Sequence, residues 1–480
     1  MEEIYNFIGG KFSKSVSNKF LEVFEPATGV PYAKVPNSNY QDIDKAYKSA
    51  AAAFFKWSNL DLEQRSNYLN LIANELEKEI NYFSELESRD TGKPLKLAQS
   101  MDIPRAALNL RFFAKYSHEY NFKYQLKNEN SESTIIRYPL GVVGCISPWN
   151  LPLYLFTWKI APALITGNTV IAKPSEITPY TAFKFSEICI KVGLPPGVLN
   201  IIHGEGSQTG DAIVSHSGIK AISFTGGTKT GMHIAKKTST SFKKIALEMG
   251  GKNPAVIFSD CEYDKMIENV VRSTFTNQGQ ICLCSSRIII EKSLYHRFKK
   301  DFIARVSKIK IGDPKENFVE YGAISSKLHY DKVLRYINMA VDEGGSILHG
   351  GTPIKINSRC SSGWFIEPTV IENLPNKSKI NQEEIFGPVV TLLQFENEKD
   401  AIRIANDTNY GLSATIWSKD KEKLNRVSNQ INAGVIWTNC WLVRDLRTPF
   451  GGMKNSGYGR EGGREAIRFF TESKTICRRI

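Results

Sequence analysis

The sequence predicts an α/β protein built from more than one layered unit, on three observations. Apolar, strand-like runs at 141–147, 169–173, 198–203, 221–225 and 254–258 alternate with helix-like stretches at 179–192 and 228–237. Strands that alternate with helices pair in parallel, because each crossover helix returns the chain to the same end of the sheet. A second alternating block follows the 260–300 region and runs to about 440, and 480 residues exceed what one hydrophobic core organises.

The remaining elements follow in chain order. Asn6-Phe7-Ile8-Gly9-Gly10-Lys11-Phe12 places two apolar segments around a Gly-Gly turn, the pattern of a hairpin. Between Asp61 and Asp90, Leu69, Ile72, Leu76, Ile80 and Phe83 recur at three- and four-residue spacing. That spacing predicts one amphipathic helix, stopped by Thr91-Gly92-Lys93-Pro94. Residues 120–139 carry a polar tip, Asn128-Glu129-Asn130-Ser131, between strand-like arms, and the tail from Phe469 to Ile480 sets apolar residues beside Lys474, Arg478 and Arg479. Two readings are open for both segments. They are strands that pair with another subunit, since an exposed apolar edge invites association, or an ordinary surface hairpin and a frayed tail. No internal repeat and no low-complexity linker interrupts the chain.

Composition narrows the classes. Hydrophobic residues at 41% and charged residues at 23% are those of a globular protein. No apolar run approaches the ~20 residues that span a bilayer, and Met1-Glu2-Glu3-Ile4 lacks the basic-then-apolar layout of a secretory leader. A cytoplasmic protein is expected. Eight cysteines are too sparse for a disulfide scaffold, and none falls in a zinc-ligand spacing, so no metal is expected. The net charge of +13 is dispersed among 49 acidic residues without a basic block, which argues against a nucleic-acid partner.

Four segments carry chemistry. Ile222-Ser223-Phe224-Thr225-Gly226-Gly227-Thr228-Lys229-Thr230-Gly231 reads as a strand, a glycine turn and a helix start, an arrangement that aims backbone N–H groups at a phosphate. Thr169-Val170-Ile171-Ala172-Lys173-Pro174-Ser175-Glu176 ends a strand in a lysine and a carboxylate, at the edge where open α/β sheets bind ligands. A carboxylate at Glu176 accepts bonds from ribose hydroxyls and repels a 2′-phosphate, which favours NAD over NADP; a plain surface ion pair with Lys173 is the alternative. Phe275-Thr276-Asn277-Gln278-Gly279-Gln280-Ile281-Cys282-Leu283-Cys284 presents a cysteine just after a polar, glycine-containing turn. A lone cysteine is more often buried filler, but this one has company. Leu247-Glu248-Met249-Gly250-Gly251 offers a carboxylate beside a close-approach turn, and Ser147-Pro148-Trp149-Asn150-Leu151-Pro152 holds an amide between prolines.

Together these segments resemble the aldehyde dehydrogenase superfamily, and the resemblance runs on from Glu25-Pro26-Ala27-Thr28-Gly29 through Glu383-Glu384-Ile385-Phe386-Gly387-Pro388 to Pro449-Phe450-Gly451-Gly452. It implies a Rossmann-type NAD-binding domain over 1–119 and 140–250, an α/β catalytic domain over 251–460, and a small β oligomerisation element from 120–139 and 461–480. It implies NAD-dependent oxidation of an aldehyde to an acid through a thiohemiacetal and a thioester on Cys282, with Cys284 as packing. Asn150 and the Cys282 N–H would hold the oxyanion and Glu248 would activate water. Lys173 and Glu176 would meet the adenosine ribose, Glu384 the nicotinamide ribose and Phe386 the nicotinamide. Trp149, Thr225 and the Gly226–Gly231 turn would line the remaining cofactor path. Gly227 departs from the family pattern, which has a serine there. A homodimer or homotetramer is implied.

Asp102-Ile103-Pro104-Arg105 and Trp437-Thr438-Asn439-Cys440-Trp441-Leu442-Val443-Arg444-Asp445 are similar to the branch acting on 2-aminomuconic and 2-hydroxymuconic 6-semialdehydes. There, positions matching Arg105 and Arg444 meet the substrate carboxylate, as bidentate guanidinium donors do. The alternative for the residues is local ion pairing, Arg105 with Asp102 and Arg444 with Asp445. The alternative for the function is another aldehyde, such as betaine aldehyde or an aliphatic one.

Overall fold

The structure is a computed structural model that describes all of residues 1–480. Its first sheet has eight strands, and five of them form a parallel centre. These are Lys244–Glu248, Ala221–Thr225, Val142–Ile146, Thr169–Lys173 and Leu199–Ile201, in that spatial order. All but Lys244–Glu248 are runs covered almost throughout on both faces, which is why they read as continuous rather than alternating. The predicted N-terminal hairpin forms, Asn6–Ile8 with Lys11–Ser13, and adds antiparallel to the Leu199–Ile201 edge.

The chain builds this sheet outward from Val142–Ile146 in one direction, then returns to place Ala221–Thr225 on its other side. At such a reversal the two following loops diverge and leave a crevice at the carboxyl ends of the strands. Ser147–Asn150 leaves one strand and Gly226–Gly227 leaves the other.

The second sheet has seven strands. Asn253–Ile257 and Ser285–Glu291 lie at its centre, with Val389–Phe395 and Ser413–Trp417 outside them in parallel. The run at 254–258, which reads as the last strand of the first block, therefore belongs to the second sheet. Conversely, Gly457–Tyr458 pairs with Lys244–Glu248, so a late segment closes the first sheet.

One expectation needs correction, and one open reading is narrowed. The helix expected over Asp61–Asp90 is two helices, Leu62–Lys78 and Ile80–Thr91, broken at Glu79 (φ −113°, ψ 24°). The first helix packs chiefly on the Ile103–Glu119 helix, whereas the second divides its packing among that helix, the Ala98–Asp102 turn and the Tyr180–Lys191 helix. Its end is as predicted, with Gly92 left-handed at φ 76°. The tail is also not frayed. Thr471–Arg479 pairs antiparallel with Ser131–Pro139 over nine residues, and Lys123–Lys127 completes a three-stranded sheet within the chain. The sheet has two free edges, Lys123–Lys127, exposed at every position, and Thr471–Arg479, exposed at all but its first residue. No helix is long and apolar enough to cross a membrane.

Candidate active site

Cys282 follows a turn that the backbone accepts only under constraint. Asn277, Gln278 and Gly279 have φ of 53°, 57° and 69°, three left-handed residues in a row. A Cβ at Gly279 would lie 2.3 Å from the Gly387 carbonyl oxygen, so only glycine fits. The neighbouring polar side chains hold the turn. Asn277 Nδ2 donates to the carbonyls of Asn150 and Gln280, each at 3.2 Å, and Gln278 Nε2 donates to those of Gly92 and Ala323. Beyond the cysteine, Asn253 Nδ2 donates to the carbonyls of Cys282 (2.7 Å) and Cys284 (2.9 Å).

The groups expected around Cys282 converge. Asn150, buried, donates its side-chain amide to the Gln280 carbonyl at 2.8 Å, which leaves its second N–H free. The Cys282 N–H bonds to no protein acceptor. Burial pushes the Cys282 thiol far above its ordinary range, with Glu248 and Glu384 adding to the effect and Arg444 opposing it. Cys284 is buried and its thiol, pushed up to about 12, bonds only the Thr276 carbonyl, a packing role.

Glu248 ends the Lys244–Glu248 strand and is buried. Burial, then the carboxylate of Glu461, raises its carboxyl well above the usual range, while Lys159, Arg444 and Arg460 oppose this. Behind it lies a buried ionic network. Glu461 accepts from Lys159 (2.7 Å) and from Trp158 Nε1 (2.8 Å), and Ser223 bonds to both charged groups. Lys159 is the one charged residue in the apolar helix Pro152–Ile165, the signal that marks it for a buried partner.

Trp149, Thr225, Gly226 and Gly227 line one pocket with Asn150 and Cys282, and Glu384 and Phe386 complete it from the second sheet. Glu384 accepts from the Gly251 N–H at 2.9 Å, and a Cβ at Gly250 would lie 1.9 Å from its carboxylate, so this glycine lets the acid approach. Phe386, itself at φ 62°, meets the Trp149 ring edge-on at 5.3 Å. His329, which no motif singles out, packs on both rings and holds the Phe386 carbonyl at 2.6 Å. Burial lowers its pKa to about 4, so it is a neutral wall.

Lys173 and Glu176 lie at the neighbouring strand end. Their pair forms at 3.0 Å, but Lys173 is buried, so it is no plain surface pair. Burial pushes Glu176 upward, and Lys173 with the N–H groups of Glu176 and Gly206 more than offsets it, leaving a stable carboxylate. Gly231 does not line the pocket. It lies under Met249, whose sulfur a Cβ would meet at 2.1 Å. Gly227 caps the helix Thr228–Thr238 without a side-chain bond and faces open space. The buried Thr225 hydroxyl has no protein partner. An unpartnered hydroxyl, a bare helix N-terminus and a carboxylate over a Gly-Gly turn fit a dinucleotide.

The local ion pairs considered for the arginines are absent. Asp102 pairs with Lys93, and Asp445 pairs with Arg447 at 2.5 Å. Arg105 Nη2 and Arg444 Nε and Nη2 are buried without any acceptor. Arg105 bonds Asn109 through Nε alone, and Arg444 stacks on Phe450 (3.9 Å) and Trp158 (4.7 Å).

A sequence model of the aldehyde dehydrogenase family matches residues 12–476. The chain belongs to that family. It is 46% identical to 2-aminomuconic semialdehyde dehydrogenase of Mus musculus, over 98% of this chain and 97% of that protein. It is 39% identical to 2-hydroxymuconic semialdehyde dehydrogenase of Pseudomonas sp. (strain CF600), over 99% of each. Among solved structures it superposes on betaine aldehyde dehydrogenase of Staphylococcus aureus in complex with NAD+, with a TM-score of 0.95, 36% identity, and coverage of 98% and 94%. As in its family, the enzyme oxidises an aldehyde, and aldehyde dehydrogenases take NAD or NADP.

Two outcomes follow from this geometry. Glu461→Gln removes the like charge that disfavours ionised Glu248, so Glu248 loses its proton at lower pH. The acid limb of the kcat–pH profile then moves to lower pH; a limb that stays or moves the other way contradicts the assignment. Gly227→Ser has room for its hydroxyl at the helix N-terminus and lowers KM for NAD+ a few-fold in steady-state assays, about the scale of one modest hydrogen bond.

Proposed function

We propose that this enzyme oxidises a semialdehyde bearing a distal carboxylate, of the 2-aminomuconic or 2-hydroxymuconic kind, to the dicarboxylate with NAD+. The observation that carries it is the pair Arg105 and Arg444, each with buried guanidinium nitrogens that have no acceptor; the two charges bear on each other, and that of Arg444 also bears on Cys282 and Glu248. Buried cations without an anion are costly, and a substrate carboxylate supplies the missing acceptor with short, charge-assisted bonds. A cationic aldehyde such as betaine aldehyde would meet two like charges there.

Each chain group then has one task. Cys282 gives up its proton as Sγ bonds to the aldehyde carbon, with Glu248 as the neighbouring base. The free Asn150 N–H and the Cys282 N–H take the oxyanion, each such donor contributing about 100-fold or more in rate. The chemistry that NAD+ supplies when bound is acceptance of a hydride from the thiohemiacetal carbon, which leaves a thioester on Cys282. Glu248 passes the thiol's proton to solvent and then deprotonates a water; the water oxygen bonds to the acyl carbon, the C–S bond breaks, and the water's proton goes to sulfur. Trp149, Thr225, Gly226 and Gly227, with Glu384 and Phe386, would hold the cofactor, and Lys173 and Glu176 its adenosine ribose. The Glu176 carboxylate favours NAD over NADP.

The same reading assigns 1–119 and 140–250 to cofactor binding, 251–460 to catalysis and 120–139 with 461–480 to oligomerisation. The exposed Lys123–Lys127 edge supports a homodimer or homotetramer. Eight free cysteines suit the reducing cytoplasm.

Following NADH at 340 nm, Cys282→Ala abolishes turnover. Arg105→Ala raises KM for 2-hydroxymuconic semialdehyde by about 10- to 100-fold, the scale of a charge-assisted pair, with little effect on propanal. Arg444→Ala weakens both substrates, because its charge also bears on Cys282 and Glu248. Equal losses on both aldehydes in Arg105→Ala would sink the carboxylate assignment. Glu176→Ala raises KM for NAD+ and admits NADP+; a wild type that prefers NADP+ overturns the ribose assignment.

A further inference from the structure

Lys93 belongs to no site described above, yet its side chain is wholly buried. Its ammonium has two partners. One is the Asp102 carboxylate, equally buried, and the other is the main-chain carbonyl of Asn150 at 3.0 Å. Asp102 closes the five-residue π-turn Ala98–Asp102, and the helix Ile103–Glu119 starts at the next residue, with Arg105 in its first turn. Mid-helix π-turns concentrate at functional sites because they re-aim the side chains that follow.

The segment after Asn150 is held from the same side. Glu87, buried, accepts from the Leu153 N–H at 3.2 Å and from the Thr181 hydroxyl at 2.7 Å. A buried ion pair is weak evidence for stability, since an apolar replacement of equal volume often serves as well. What Lys93 adds over an apolar residue is direction: its bonds run to one catalytic loop and one helix start.

We infer that Lys93 is a positioning residue that sets the Asn150 loop and the Arg105-bearing helix start against each other, tying oxyanion binding to carboxylate recognition. The inference rests on the roles proposed for Asn150 and Arg105.

The test is a pair of double-mutant cycles in the full chain, Lys93→Met with Asn150→Ala and Lys93→Met with Arg105→Ala. NADH formation is followed with 2-hydroxymuconic semialdehyde and with propanal. Lys93→Met lowers kcat on both aldehydes by about 10- to 100-fold, the scale of a ~1 Å misplacement, and raises KM only for the semialdehyde. In the Asn150→Ala background it changes kcat less than about two-fold, and in the Arg105→Ala background it leaves KM for the semialdehyde unchanged, because coupled residues are not additive. Should Lys93→Met fail to fold, Asp102→Asn keeps the volume and enters the same cycles. Wild-type kinetics in the folded variant, or a full loss in both backgrounds, overturns the coupling and leaves the site reading intact. Asn150→Ala with unaltered kcat, or Arg105→Ala with unaltered KM, overturns the site reading and this inference with it.

Discussion

The Asn150 amide reaches across from the loop after Val142–Ile146 to the Gln280 carbonyl, in the turn that leads into the second sheet. This bond joins the two sheets at Gln280, two residues before Cys282 in the chain. An oxyanion donor is effective only when it is already aimed at the place where charge develops. The placement of that amide relative to Cys282 therefore depends on the joint. Asn277 reinforces it by bonding the carbonyls of both Asn150 and Gln280. The left-handed non-glycine residues of the turn cost about 1–3 kcal/mol each and persist because such bonds over-determine them.

Electrostatics divides the site. Burial makes ionisation of Cys282 and Glu248 difficult, and the carboxylates around them make it harder. Arg444 is the cation that opposes this at both residues. On the cofactor side the rings of Trp149, Phe386 and the uncharged His329 stand with Lys332 and with Glu384, which the Gly251 N–H holds. An aromatic wall of this kind suits a nicotinamide ring.

Four of the five central strands of the first sheet are legible in the sequence because they are buried on both faces and bounded by turn residues; Lys244–Glu248, only partly buried at its start, is not. The catalytic cluster is legible through motif spacing, since Gly279 and Gly250 are required by close approach. The break at Glu79 is not legible, because Leu76, Ile80 and Phe83 keep helical spacing across it. Sequence adjacency also misleads at Asp102 and Asp445, where the nearest arginine in the chain is not the partner chosen. Lys93, His329 and Glu461 were missed for a related reason. Their partners lie as far as 302 residues away, as for Lys159 and Glu461, and no local period records such a contact.

On the proposed reading, two arginines also solve a problem that one would create. A carboxylate bound to Arg444 cancels part of the charge that eases ionisation of Cys282 and Glu248. A substrate held by Arg444 alone would thus weaken the groups that attack it. Arg105 is not among the charges that bear chiefly on Cys282 or Glu248, and its own pKa is lowered by burial and by Arg444. Its charge can be given wholly to the substrate. With Arg105 taking the carboxylate's charge, Arg444 retains enough of its field to serve the thiol, and recognition need not come at the expense of the reaction at Cys282.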